Sequence, residues 1–332
     1  MKKTKLWSIG YGLALTGFTA WLALDTFVIP HAYQSVQPPA ALLSTAQAES
    51  TPAPTAAASG RKKSQNRNSS ARSHSSRGSG TNAISPSATA DAFPQTYENG
   101  QTSITLSSYR VEDTTVYVAD VTLSSPSALS AVLARDTYGR NVTETPSSMA
   151  QRVSAILAVN GDYYGAREKG YVVRNGALYR ASAISGQEDL VIDAEGNFSI
   201  IREDEISAEA LVQKGAAQVL SFGPALIEHG SIAVDPGDEV GRAMASNPRT
   251  ALAQVGPLHY LFVVADGRTT ASQGLSLYQL AQFLQSLGAQ TAYNLDGGGS
   301  SAMIFNGQLI NTPTTTGNRS SERSVSDIVA IF

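Results

Sequence analysis

Between about residue 40 and residue 90 the chain carries almost no large apolar side chain. STAQAESTPAPTAAASGRKKSQNRNSSARSHSSRGSGTNAISPSATA is Ser, Ala, Thr, Pro and Gly with scattered basic residues. Such a segment cannot bury enough surface to offset the entropy of ordering it, so a disordered tether is expected. The 42% of hydrophobic residues in the 332-residue chain must therefore be concentrated on either side of it. The expected division is an N-terminal apolar anchor segment over 1–30, a basic Ser/Ala/Pro/Gly-rich tether over 31–95 and a folded domain over 96–332.

The N-terminal part sets Lys2, Lys3 and Lys5 ahead of an uncharged run of nineteen residues from Leu6 to Leu24. At about 1.5 Å rise per residue such a run can cross a hydrocarbon layer of roughly 30 Å. A cleaved secretion signal would need a cleavage site close to this run. The nearest Ala-x-Ala, Ala46 and Ala48, lies more than twenty residues beyond Leu24. An uncleaved signal-anchor is expected, single-pass in the cell membrane, with a cytoplasmic N-terminus and an extracytoplasmic domain.

Charge divides the chain in the same way. Residues 1–90 hold nine Lys/Arg against Asp25 and Glu49, a net +7, so with −3 for the whole the remainder carries −10. The basic tether is either a solvated linker or a contact for anionic wall polymers or lipid headgroups. Nucleic acid is not an expected partner for so acidic a domain. The absence of cysteine excludes disulfides, thiol nucleophiles and cysteine metal sites.

Alternating residues in SITLSSYRVEDTTVYVADVTLSS predict two strands turning at Glu112 to Thr114. Thr145 and Pro146 open a helix that leads into the apolar run AILAV and the loop NGDYYG. Hairpins are expected at Asn175-Gly176, near Gly196, at Gly256-Pro257 and at Asn306-Gly307. Ser276 caps a helix with Leu277, Leu280, Leu284 and Leu287 on one stripe and Gly288 at its end. The fold class is α+β: a mixed, largely antiparallel sheet built from hairpins, with two or three packed helices.

The chemistry-bearing residues sit at strand ends. NLDGGGSSAMIF places Asp296 before Gly297, Gly298, Gly299, Ser300 and Ser301. A nucleotide-binding glycine loop would need a helix after it, and a β-rich run follows instead. What remains is a carboxylate beside glycines whose backbone N–H groups can approach an anion or a sugar, or a plain flexible turn. NGDYYG supplies Asn160 and Asp162 beside Tyr163 and Tyr164, an arrangement suited to a sugar site or, for Asp162, an Asx-turn. Arg249, Arg268 and Arg323 stand at strand boundaries and suit phosphate recognition; singly, each is an ordinary surface ion-pair partner. Only His229 and His259 fall in the folded part, neither in a Gly/Ser/Asp-rich loop, and no G-x-S-x-G elbow exists. A Ser-His-Asp hydrolase and a histidine zinc site are therefore set aside. No cofactor is required, while a Ca²⁺ or Mg²⁺ ion on Asp162 or Asp296 stays open.

NGDYY, NPRTALA, ADGR, NLDGGGSSAM and ERSVSDIVAIF, in this order, resemble the phosphodiester glycosidase family over roughly residues 100–332. The closing motif has Arg323-Ser324 where the family often has Arg-Pro. The resemblance implies hydrolysis between an anomeric carbon and a phosphodiester oxygen, N-acetylglucosamine-1-phosphodiester being the model substrate. It also implies a phosphorylated glycan or wall polymer as partner, in an exopolysaccharide or cell-surface setting. Asn160, Asp162, Arg249, Asp296 and the 297–301 loop fall on its motif positions. Asp296 would attack C1 or activate water, with Asp162 as its acid/base or sugar-binding partner. The competing expectations are a non-catalytic phosphoglycan-binding factor in exopolysaccharide assembly and a carboxylate-metal phosphoesterase.

Overall fold

The computed structural model describes residues 2–35, 87–88, 94–238, 246–316 and 319–332. Most of the expected tether lies outside them. Two pieces of it do not behave as a tether. His31–Ser35 is a strand paired antiparallel with Thr137–Arg140, and Ser87–Ala88 pairs with Tyr109 and Arg110. Both satisfy backbone groups on strands that would otherwise be edges. The expected span Leu6–Leu24 falls within one helix, Lys2–Phe27. Among the described residues no helix is long and apolar enough to cross a membrane. The side chains of residues 2–9, where the expected span begins, lie outside those described.

The described strands pair antiparallel throughout the domain. A nine-stranded sheet is built around Thr102–Val111, Thr114–Leu123, His259–Ala265, Arg249–Gly256 and Thr291–Leu295. A five-stranded sheet has Asp327–Ile331 between Leu129–Leu133 and Leu157–Asn160, with Met303–Phe305 beyond. A second five-stranded sheet carries Val172–Arg174, Ala216–Leu220 and Glu188–Asp193.

The pleat explains why HYLFVVA reads as a continuous apolar run. Tyr260, Phe262 and Val264 face a central core shared with Leu157, Val159, Val329 and Ile331, while Leu261, Val263 and Ala265 face the helix Leu277–Ser286. A strand covered on both faces has no side left for polar residues. Ser276 caps the helix as expected, and the structure adds a capping box, Ser276 accepting from Gln279 N and the Gln279 side chain accepting from the Ser276 N–H. Two shorter helices, Pro146–Arg152 and Ala208–Gln213, cover the five-stranded sheets. The Asn175-Gly176 and Asn306-Gly307 turns adopt the paired positive φ that a two-residue hairpin requires.

The second five-stranded sheet buries an acid pair. Asp189 is fully buried, and neither of its carboxyl oxygens has a hydrogen-bond partner of normal geometry. Glu203 accepts from Tyr171 N at 2.8 Å, from the Ser221 hydroxyl at 2.9 Å and from Ile184 N. Burial first, and then the neighbouring Glu203, pushes the Asp189 carboxyl up to about 10. The unfolded chain loses this proton from about pH 4 upward, whereas the native state keeps it to about pH 10. The stability held at low pH is therefore lost progressively across that window as pH rises. Asp189→Asn should flatten the profile: in urea titrations the variant gains on the parent from pH 5 to pH 9, by an order of a few kcal/mol.

Candidate functional site

The site forms where two sheets end together. Asn160 closes Leu157–Asn160, and Asp296 follows Thr291–Leu295. The Asn160 amide ties the two ends, donating to the Asp296 carbonyl at 2.7 Å and to Gly161 O at 3.2 Å. It accepts from the Thr250 hydroxyl at 2.7 Å and from Ala302 N at 3.2 Å. Asn160 is fully buried and its amide is taken up by the protein, so it acts as a cross-brace between sheets.

Asp162, Asp296, Ser300 and Arg323 line one cavity of about 260 Å³, with Asn141 and Tyr163 among its other walls. The two carboxylates stand in different conditions. Asp162 is saturated: Oδ1 accepts from Tyr164 N at 3.0 Å, and Oδ2 accepts from Arg174 Nη2 at 2.8 Å and Ser221 N at 2.9 Å. Asp296 is half-buried and has no arginine or lysine within ion-pair distance among the described residues. Burial raises its pKa, while the Ser300 hydroxyl, the Arg323 charge and the Gly297 N–H pull the other way. The Ser300 hydroxyl is buried without a partner of normal hydrogen-bond geometry, as is that of Ser301. The Ser300 hydroxyl faces the Asp296 carboxylate on the cavity wall.

The glycines pack more than they bind. The N–H of Gly298 donates to Pro248 O, and those of Ser300 and Ser301 turn back on Gly297 and Gly298. A Cβ at Gly297 would lie 2.8 Å from Pro248 O, one at Gly298 2.9 Å from the Arg268 guanidinium and one at Gly299 2.3 Å from the Thr315 hydroxyl. The expected anion-binding run of N–H groups is thus largely consumed within the loop. The arginines differ as well. Arg268 donates to Thr315 O at 2.8 Å and to Asn247 Oδ1 at 3.0 Å, bracing the glycine loop. Arg249 is buried and donates from Nε to Leu275 O at 2.9 Å. Of the three, Arg323 alone lines the cavity.

Behind the cavity lies a buried cluster that sequence reasoning passed over. Arg174 sits between two carboxylates, Nη2 on Asp162 and Nε on Asp327 Oδ2, each at 2.8 Å. Burial opposes its charge, but the two carboxylates outweigh burial and raise its pKa. One guanidinium neutralises one carboxylate. Asp327 accordingly rises to about 7, from burial first and despite Arg174, with Asp162 adding to the rise. Its Oδ1 has no hydrogen-bond partner among the described residues and can carry the proton. The signal was present: Arg174 in VVRNG and Asp327 in SVSDIVAIF are charges set against apolar runs. Such a residue is either exposed at a strand end or paired inside, and only the fold decides which.

Gly161 leaves room for that cluster, since a Cβ there would fall 2.2 Å from Asp327 Oδ1. Gly161→Ala should displace a carboxylate that Arg174 holds in place, at about 1–3 kcal/mol. Chemical denaturation of the variant beside the parent would show it as a lower midpoint at unchanged slope. For a cation, no group of three or more His, Asp or Glu among the described residues is arranged to hold a metal ion.

The site thus belongs to an α+β domain whose strand ends bring a carboxylate, a hydroxyl and an arginine to one cavity. The family model of the phosphodiester glycosidases matches residues 154–332, and the chain belongs to that family. The match is shorter than the expected 100–332, but it includes Asp162, Arg174, Asp296, Arg323 and Asp327. The chain is similar, at 29% identity over 181 residues, to the SPbeta prophage-derived uncharacterized protein YomE of Bacillus subtilis (strain 168), a match over 52% of this chain and 28% of that one. It is also similar, at 38% over 66 residues, to the N-acetylglucosamine-1-phosphodiester alpha-N-acetylglucosaminidase of Mus musculus, over 20% and 13% of the two chains. The chain thus spans well under a third of these relatives' own lengths.

Among solved structures, the fold resembles the catalytic domain of zebrafish N-acetylglucosamine-1-phosphodiester alpha-N-acetylglucosaminidase auto-inhibited by its pro-peptide. The TM-score is 0.54 at 22% identity, over 70% of this chain and 82% of that one. A hypothetical protein from Synechocystis aligns at TM-score 0.52 and 16% identity, over 75% and 68%.

Proposed function

We propose that the domain hydrolyses the glycosidic bond of a sugar-1-phosphodiester, with Asp296 as the working carboxylate and Arg323 as the phosphate contact. One observation carries this reading: Asp296 and Arg323 share a cavity in which the other carboxylate, Asp162, is fully committed to Arg174 and backbone N–H groups. A phosphodiester is already a competent leaving group. Orienting it and supporting the developing positive charge at C1 therefore matter more than protonating it. Asp296, ionised, attacks C1 or activates water. Ser300 offers a hydroxyl to the same space. Asp162 positions the turn through Tyr164 N and Ser221 N and holds Arg174 in place. The mouse relative's name supports N-acetylglucosamine as the sugar.

In this reading the domain works outside the cell on a surface glycan or wall polymer and is tethered through the helix Lys2–Phe27, whose leading lysines favour a cytoplasmic start. The experiment is incubation of the full chain with an α-N-acetylglucosamine-1-phosphodiester, with and without EDTA, and identification of products by mass spectrometry. Free N-acetylglucosamine that survives EDTA supports the glycosidase. Sugar phosphate that disappears with EDTA would replace it with a metal phosphoesterase, and binding without turnover with a phosphoglycan-binding factor.

A further inference from the structure

A second cleft, of about 170 Å³, lies on the other side of the turn that walls the Asp296 cavity. The 163–168 segment separates the two: Tyr163, Gly165 and Ala166 face the first, Tyr164, Arg167 and Glu168 the second. Asn141 and Arg140 divide in the same way. The cleft presents three tyrosines and three arginines. Tyr138 stacks on Tyr164 at 5.5 Å between ring centres and meets Tyr33 at 5.8 Å. Tyr33 is largely exposed, so an aromatic face stands open to solvent.

The arginines are unevenly paired. Arg140 contacts Asp25 and the exposed Glu168. Arg180 is held by the carbonyls of Gly170, Tyr164 and Arg167, and Arg167 lies over the Phe222 ring and donates to Ser221 O. Among the described residues neither Arg167 nor Arg180 has a carboxylate within ion-pair distance, and Arg140 Nε and Arg180 Nη2 are buried donors without an acceptor. Positive charge beside the exposed Tyr33 ring in a domain of net charge −10 is a local reversal of sign. Flat aromatic faces suit pyranose rings, and the part-exposed Arg140 and Arg167 guanidiniums on the cleft wall suit anionic oxygens.

We propose that this cleft binds an anionic unit of a glycan chain, a sugar bearing a carboxylate or phosphate group, and extends the Asp296 pocket along that chain. The extension rests on the sugar-phosphodiester reading of the first pocket; the binding itself does not. A linkage cleaved at Asp296 would then be chosen by the acidic unit held beyond the 163–168 turn.

The test is equilibrium binding of trigalacturonate, mannose 6-phosphate and neutral maltotriose to the full chain and to Arg167→Gln, Tyr33→Ala, Arg323→Gln and Asp296→Asn, with thermal unfolding of each variant. At least one anionic probe should bind about tenfold more tightly than maltotriose, and Arg167→Gln and Tyr33→Ala should each remove much of that preference. Asp296→Asn should leave it intact. Whether trigalacturonate or mannose 6-phosphate prevails identifies the anionic group. No preference for anions, or a preference unchanged in folded Arg167→Gln and Tyr33→Ala proteins, overturns the proposal. So does binding lost in Arg323→Gln but not in Arg167→Gln, since the probe would then occupy the first pocket. Cleft binding with no turnover of any phosphodiester would sink the glycosidase reading alone.

Discussion

Asp296→Asn is expected to lower kcat/KM on a sugar-1-phosphodiester by about a thousandfold, or roughly 4 kcal/mol of transition-state stabilisation, while the protein stays folded. The amide fills the same space and keeps a group opposite Ser300, but neither attacks C1 nor accepts a proton from water. Stability should hold or rise. Burial disfavours the ionised carboxyl in the native state, so a neutral replacement relieves a cost that function imposes. The pH profile offers a second reading. Because the pKa of Asp296 is raised, the acidic limb of kcat/KM should lie above the ordinary carboxylate value of about 3.9. A variant that kept parental turnover would remove Asp296 from the chemistry.

Arg174→Met should produce the largest loss of stability, about 3–5 kcal/mol near pH 8. The methionine chain replaces much of the arginine's volume but leaves Asp162 and Asp327 facing each other in a site closed to water. The defect should shrink in acid. With Arg174 present the Asp327 carboxyl already sits at about 7, and removing the guanidinium takes away the charge that holds it down. Its folded pKa then stands further above the unfolded one. Stability is thus retained at low pH and lost as pH rises through the folded value. Denaturant titrations at pH 5.5 and pH 8 should show a much larger difference from the parent at pH 8. An equal deficit at both would mean that the arginine serves packing and not charge.

Hairpins and helix caps were legible in the sequence because they are local. Asn175-Gly176 and Asn306-Gly307 need positive φ, Thr145 and Ser276 cap the helices that follow them, and no distant residue decides these points. Asp296 was legible for a related reason, a carboxylate against glycines at the end of an apolar strand. The partners of Asp162 were not. Arg174 is twelve residues from it, Ser221 fifty-nine, and Asp327 joins through Arg174 from 153 residues away. Only sheet register sets such distances. The same limit applies to Asn160 and Arg268, which looked like ligand contacts by position and spend their donors on the Asp296 carbonyl and on Thr315.

The strand that carries Asp327 has a consequence for how the pocket comes into being. Asp327–Ile331 fills the middle of its sheet, flanked by Leu129–Leu133 and Leu157–Asn160 from far earlier in the chain. Those neighbours cannot close on each other without it. A nascent chain stopped short of residue 327 would already contain Asp296, the glycine loop and Arg323, yet Arg174 would lack one of its two counter-charges. Assembly of the site therefore waits on residue 327, and a polypeptide that stops before it holds the pocket's side chains without the charge balance behind them.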